Sequence, residues 1–185
     1  MFETPDHLKS SVVSGVSVVK PSGTVVIGLG NPLMGDDGVG LAVLERLRGF
    51  EFDPPVELVD GGTWGLNLLP VLEDAERVLL IDAINTGATP GTIVVLERDA
   101  LPRYLSTKVS PHQVDLQDVL ALAELRGKLP EMTVAIGVQP ERVEMITELS
   151  PAVERGVDLL VAAVLSRLEE WGHSGRPRRR HSQYA

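Results

Sequence analysis

Apolar positions along the chain follow two alternating periods. Short runs rich in Val, Ile and Leu have the length and β-branched content of buried strands: Thr24 to Ile27, Val56 to Val59, Arg77 to Ile81, Gly91 to Leu96 and Met132 to Val138. Between them the period lengthens to that of an amphipathic helix. From about Asp37 to Arg48, Val39, Val43 and Leu47 share one face. Further on, Leu116, Val119, Leu120 and Ala123 line a second helix, with Asp115 positioned to cap it and Gly127 to stop it. A long helix from about Pro151 to Trp171 opens on Ser150-Pro151 and carries a stripe of Val153, Val157, Leu160, Val161, Val164 and Leu168. Trp64 to Leu72 is also helical in pattern, but Pro70 inside it implies either a kink or a displaced boundary. Strands of this kind alternating with helices predict an α/β fold, a three-layer α/β/α sandwich on a mainly parallel five-stranded sheet. Ligands of such sheets bind at the carboxyl ends of the strands.

The pattern fades at both ends. Residues 1–22 read as an N-terminal extension in which Val12 to Val19 is either a strand or part of a mobile arm. Residues 172–185 hold Arg176, Arg178, Arg179 and Arg180 and no acid, and read as a basic, disordered tail. One domain over residues 23–171 is then the expectation for a chain of 185 residues.

Composition narrows the function. With no cysteine, disulfide scaffolds, thiolate metal sites and cysteine nucleophiles are excluded. The net charge is −9, and the body without the arginine tail is more acidic still, a poor partner for nucleic acid or an anionic membrane. No window has the apolar length of a membrane span, and Glu3 and Asp6 stand where a secretory signal would be basic, so a cytoplasmic protein is expected.

The first strand exits into Gly28-Leu29-Gly30-Asn31-Pro32-Leu33-Met34-Gly35-Asp36-Asp37-Gly38-Val39-Gly40. Leu33 stands where a dinucleotide fingerprint needs its third glycine, and two aspartates stand where a pyrophosphate needs positive potential. One of Asp36 and Asp37 suffices to cap the following helix; two in succession exceed that need. Asp82 ends the third strand and Asp60 the second, and each has the ordinary alternative of starting an Asx turn. Of four histidines only His112 lies in the body, in the loop Ser110-Pro111-His112-Gln113 before a helix. Asp37, Asp82 and His112 would form an O, O, N metal set with open positions if their loops share one edge of the sheet. Such a set suits zinc, nickel or iron without choosing among them.

Taken in order, GLGNPLMGDDGVG, DGGT at 60–63, IDAI at 81–84, SPHQ at 110–113 and GVQPE at 137–141 resemble the nickel–iron hydrogenase maturation proteases, over roughly residues 24–170. The resemblance implies an endopeptidase that removes a C-terminal peptide from the nickel-loaded precursor of a hydrogenase large subunit. It implies that Asp37, Asp82 and His112 contact the nickel, which the substrate supplies, with zinc or cadmium as surrogates in the isolated protein. Asp60 matches a family aspartate without a clear role. With no cysteine and no Gly-x-Ser-x-Gly elbow, direct hydrolysis assisted by a carboxylate is expected. A monomer is expected, because the enzyme must meet a large precursor at its strand ends. Two alternatives share parts of this pattern. One is a nickel-binding docking or delivery module without peptidase activity. The other is a different hydrolase or phosphorylase on a related fold, which the lack of basic residues in the loops Gly28–Val39 and Asp82–Gly91 disfavours.

Overall fold

A computed structural model describes residues 23–62, 65–101 and 116–178. The N-terminal extension, Trp64, His112, Asp115 and Arg179 onward lie outside the described residues. The main sheet has five strands in the order β3-β1-β4-β6-β5, where β1 is Thr24–Leu29, β3 Glu57–Gly62, β4 Arg77–Ala83, β5 Ile93–Glu97 and β6 Met132–Val138. The first four in this order run parallel, and β5 pairs antiparallel with β6. The antiparallel edge has a simple cause. A parallel return needs a crossover of about a dozen residues or more. Ala83 and Ile93 are too close in sequence, with no helix between them, for the chain to travel back.

Helices cover both faces. On one, α1 (Val39–Leu47) and α4 (Pro151–Glu170) bury Val43, Leu44, Val157, Leu160 and Val164 against Val26, Leu79, Ile81 and Ile136. On the other, α2 (Leu69–Asp74) and α3 (Leu116–Leu125) bury Leu72, Val119 and Leu120 against Val25, Ile27, Val78, Leu80 and Ala135. Successive strand residues therefore serve opposite cores, which is why these strands read as unbroken apolar runs. Each such side chain contributes about 1.5–3 kcal/mol on burial. Pro70 neither kinks nor breaks a helix: a 3-10 turn covers Gly65–Leu68, and α2 starts beside Pro70, whose missing N–H costs nothing in a first turn. Ser150 caps α4 as expected, its hydroxyl accepting from Val153 N at 3.3 Å.

The basic tail is corrected in its first part. Ser174–Pro177 form β7, antiparallel to β2 (Phe50–Asp53), in a separate two-stranded sheet. Arg178 N donates to Gly49 O at 2.8 Å and extends the pairing. His173, 1% exposed, anchors the start of the strand. Its Nδ1 donates to the Pro54 carbonyl at 2.8 Å, and its Nε2 meets the Thr24 hydroxyl at 2.9 Å. Neither strand shows in the sequence pattern, because FEFD and SGRP are too short and polar to register as strands and gain their partners only when α4 brings them together. His173→Ala is expected to lower stability by about 2 kcal/mol in urea denaturation, since it empties a buried position and removes the bonds to the Pro54 carbonyl and the Thr24 hydroxyl.

The β1–β4 pair marks where the chain changes direction across the sheet. From β1 the chain goes to β3 on one side, and β4 then returns on the other side of β1. A crevice opens at such a switch point, beyond the strand carboxyl ends. The start of α1 lies directly over it. A Cβ on Gly40 would collide with the carbonyl oxygens of Leu29 and Ile81 and stand 2.7 Å from Leu29 N, so only glycine lets the helix sit this close.

Candidate active site at the β1–β4 crevice

The loop after β1 is tightly self-bonded. Leu33 N donates to Asn31 Oδ1 at 3.0 Å, and Met34 N to Asn31 O at 3.0 Å. Gly30 N donates to Gly62 O at 3.0 Å, fastening the loop to β3. Gly30 has φ +103°, and a Cβ there would strike the Asp37 carbonyl, so the loop folds back over its own origin only with glycine at this position.

Asp36 and Asp37 sit in a 3-10 turn, Gly35–Gly38, that leads into α1. The expectation that one of them caps the helix is corrected. The residue before the turn is Met34, the residue before α1 is Gly38, and neither end has a side-chain cap bond. The two carboxylates instead make longer-range bonds. Half-buried Asp37 accepts from Asn31 N through Oδ2 at 2.7 Å, closing the loop from within. Asp36 is fully buried and reaches across the molecule: Oδ2 accepts from Glu141 N at 2.8 Å and Arg142 N at 3.0 Å, and Oδ1 from Ser150 N at 2.6 Å. Burial pushes the Asp36 carboxyl up, but the bonds from Ser150, Arg142 and Glu141 outweigh it and hold it below the ordinary aspartate range.

Asp82 lies at the carboxyl end of β4, 4% exposed, opposite Gly137 of β6. Its Oδ1 accepts from Ala83 N at 2.8 Å, so the side chain is turned along the strand end. The two predicted metal-contacting carboxylates thus come from the loop after β1 and from the end of the adjacent parallel strand β4, at one switch point. Among the described residues no three His, Asp or Glu side chains gather as a metal cluster, and the third predicted ligand, His112, lies outside them. Asp60 is exposed and lies inside β3, paired with Gly28, so it starts no turn.

One further buried polar residue stands at this edge and carried no role in the sequence. Gln139, 6% exposed, follows β6. Its Oε1 accepts from Thr86 N at 2.8 Å and Ala88 N at 3.2 Å, and its Nε2 donates to Asn85 Oδ1 at 3.0 Å. A glutamine at the end of an otherwise apolar strand is the available sign, since a buried amide must find partners.

A family described as hydrogenase maturation protease matches residues 41–167. The chain belongs to this family. Among its relatives, the hydrogenase expression/formation protein HupD of Rhodobacter capsulatus is 41% identical over 156 residues, 83% of this chain and 74% of its own length. The hydrogenase 2 maturation protease of Escherichia coli is 35% identical over 156 residues, covering 83% and 95%. Among solved structures, the hydrogenase maturating endopeptidase HybD from E. coli superposes with a TM-score of 0.79 at 34% identity, covering 84% of this chain and 97% of that one. The [NiFe] hydrogenase maturation protease HycI from Thermococcus kodakarensis superposes at 0.63 with 26% identity, covering 79% and 92%. As a hydrogenase maturation protease the chain is a hydrolase, an endopeptidase on an α/β sandwich, and the crevice between β1 and β4 is the feature of this fold where its chemistry is expected.

Proposed function

We propose that this protease removes a C-terminal peptide from the nickel-loaded precursor of a nickel–iron hydrogenase large subunit. The observation that supports the reading is that Asp37, in the loop after β1, and Asp82, at the end of the adjacent strand β4, lie at the same edge of the sheet in a chain of this family. In this reading the nickel belongs to the substrate. Asp37, Asp82 and His112 bind it, which holds the nearby peptide bond against the crevice. A water molecule attacks the scissile carbonyl carbon while a carboxylate takes its proton. The carbon–nitrogen bond then breaks, and the leaving amine takes a proton back. Hard carboxylate oxygens and one imidazole suit a divalent nickel ion and leave coordination positions for the substrate's own ligands.

Recognition through a metal also makes the reaction conditional. A precursor without nickel lacks the group these side chains bind, so much of the binding energy is missing. The same reading has the enzyme act as a cytoplasmic monomer. No helix among the described residues is long and apolar enough to cross a membrane, which is compatible with it. The test is the intact mass of the precursor after incubation with the enzyme, nickel-loaded and nickel-free. Loss of a C-terminal peptide from the loaded form alone is expected. Equal cleavage of both forms overturns the nickel-gated reading, and no cleavage of either overturns the proteolytic one.

A further inference from the structure

The geometry points to the segment Gln139–Ser150 as a common brace for the loop that carries Asp37 and the loop that follows Asp82, with Gln139 on the segment and Asp36 opposite it as positioning residues. This rests on the proposed nickel-contacting role of Asp37 and Asp82. At one end of the segment, Gln139 holds the loop that follows Asp82. Its Oε1 gathers Thr86 N at 2.8 Å, the Thr86 hydroxyl at 3.4 Å and Ala88 N at 3.2 Å. Its Nε2 donates to Asn85 Oδ1 at 3.0 Å and Pro140 O at 3.2 Å. The backbone repeats the attachment: Gln139 N donates to Thr92 O at 2.8 Å, and Gly91 N to Gln139 O at 2.9 Å. Toward the other end, the segment holds the loop that carries Asp37. Asp36 accepts from the N–H groups of Glu141, Arg142 and Ser150. Gly35 N donates to Ile146 O at 2.6 Å, and Asp36 N to Arg142 O at 3.2 Å.

Asp37 sits in a loop fastened at Gly30 to β3, and Asp82 at the end of β4, laddered to Gly137 of β6. The β1–β4 pairing stops at Gly28 and Ile81, before either carboxylate. Beyond that point the 3-10 turn Gly35–Gly38 packs on β4, and the third segment is hydrogen-bonded both to that turn and to the loop after Asp82. A metal held between carboxylates from separate loops is sensitive to their separation, so the residues that set it govern metal affinity without touching the metal.

The experiment uses the full chain as wild type, Gln139→Leu, Gln139→Glu and Asp36→Asn. Each is read three ways: kcat and KM on nickel-loaded precursor, cadmium affinity by calorimetry, and folded fraction by circular dichroism at the assay temperature. Gln139→Leu is expected to lose about 10–100-fold in cadmium affinity per folded molecule, with a matching rise in KM. Gln139→Glu keeps the acceptor oxygen for Thr86 and Ala88 but sets an oxygen against Asn85 Oδ1 and Pro140 O, and is expected to recover only part of both. Asp36→Asn turns an N–H donor toward backbone N–H groups and is expected to show a similar loss from the other end of the brace. A purely structural role would lower only the folded fraction. Folded Gln139→Leu and Asp36→Asn with wild-type KM and cadmium affinity overturn the brace. If Gln139→Leu fails to fold, Asp36→Asn decides alone. Failure of the wild type to cleave loaded precursor overturns the underlying functional reading instead.

Discussion

Asp82→Asn leaves the fold intact and lowers cleavage of nickel-loaded precursor by about three orders of magnitude; this is the largest catalytic effect expected from a single atom-for-atom change. The substitution keeps Oδ1, and with it the bond from Ala83 N that orients the side chain along the end of β4. It also keeps volume in a position that is 4% exposed, so no cavity forms. What it removes is a negative charge at the carboxyl end of β4, beside the switch point. A carboxylate that binds a divalent metal or takes a proton from water contributes several kcal/mol, and each 1.36 kcal/mol is about tenfold in rate. The division of the loss identifies the role. If Asp82 binds the metal in the bound precursor, KM rises most; if it is the base, kcat falls and KM holds. Steady-state kinetics on loaded precursor, with intact mass as the product readout, makes the measurement. Full cleavage by the variant removes Asp82 from the site.

Asp36→Ala is expected to lower stability by about 3–4 kcal/mol at pH 7, because it removes a buried carboxylate that accepts from three backbone N–H groups, that of buried Ser150 among them. For a chain of this size that is a fall of roughly 10 °C in Tm. The pH dependence has a definite sign. The folded-state carboxyl is held below its ordinary value. Its stabilisation is therefore complete above the unfolded value of about 3.9 and is lost as pH falls through the lower folded value. The gap between wild type and Asp36→Ala is thus constant from pH 7 to about 5 and narrows in acid below about pH 4. Urea denaturation of both proteins across that range gives the curve. A gap that widened on acidification would mean that Asp36 is not ionised in the folded protein.

Much of the fold is legible in the sequence because each main strand serves two cores. Arg77–Ala83 and Met132–Val138 announce themselves as apolar runs, and the helix stripes facing them repeat at helical spacing. The elements that were not legible have no such stripe. FEFD and SGRP hold one buried aromatic between them, Phe52, and pair across more than a hundred residues. The antiparallel direction of β5 is equally silent in its own residues, since IVVLE reads the same either way; the short connection from β4 decides it.

The candidate site divides in the same manner. GDDG after a first strand, and Asp at the end of a buried strand, are visible in the order of residues, and that order was enough to indicate the family. The sequence by itself determined the strand and helix periods, the residue types that can bind a metal, and the absence of a thiol nucleophile, because these are properties of composition and local spacing. Only the tertiary structure separated the two adjacent aspartates. Asp36 turns inward to backbone N–H groups more than a hundred residues away, while Asp37 stays with its own loop and bonds Asn31. Only there does Gln139 acquire partners on the loop behind Asp82. A buried polar group is defined by what surrounds it, and neighbours contributed by distant segments exist only once the chain has folded.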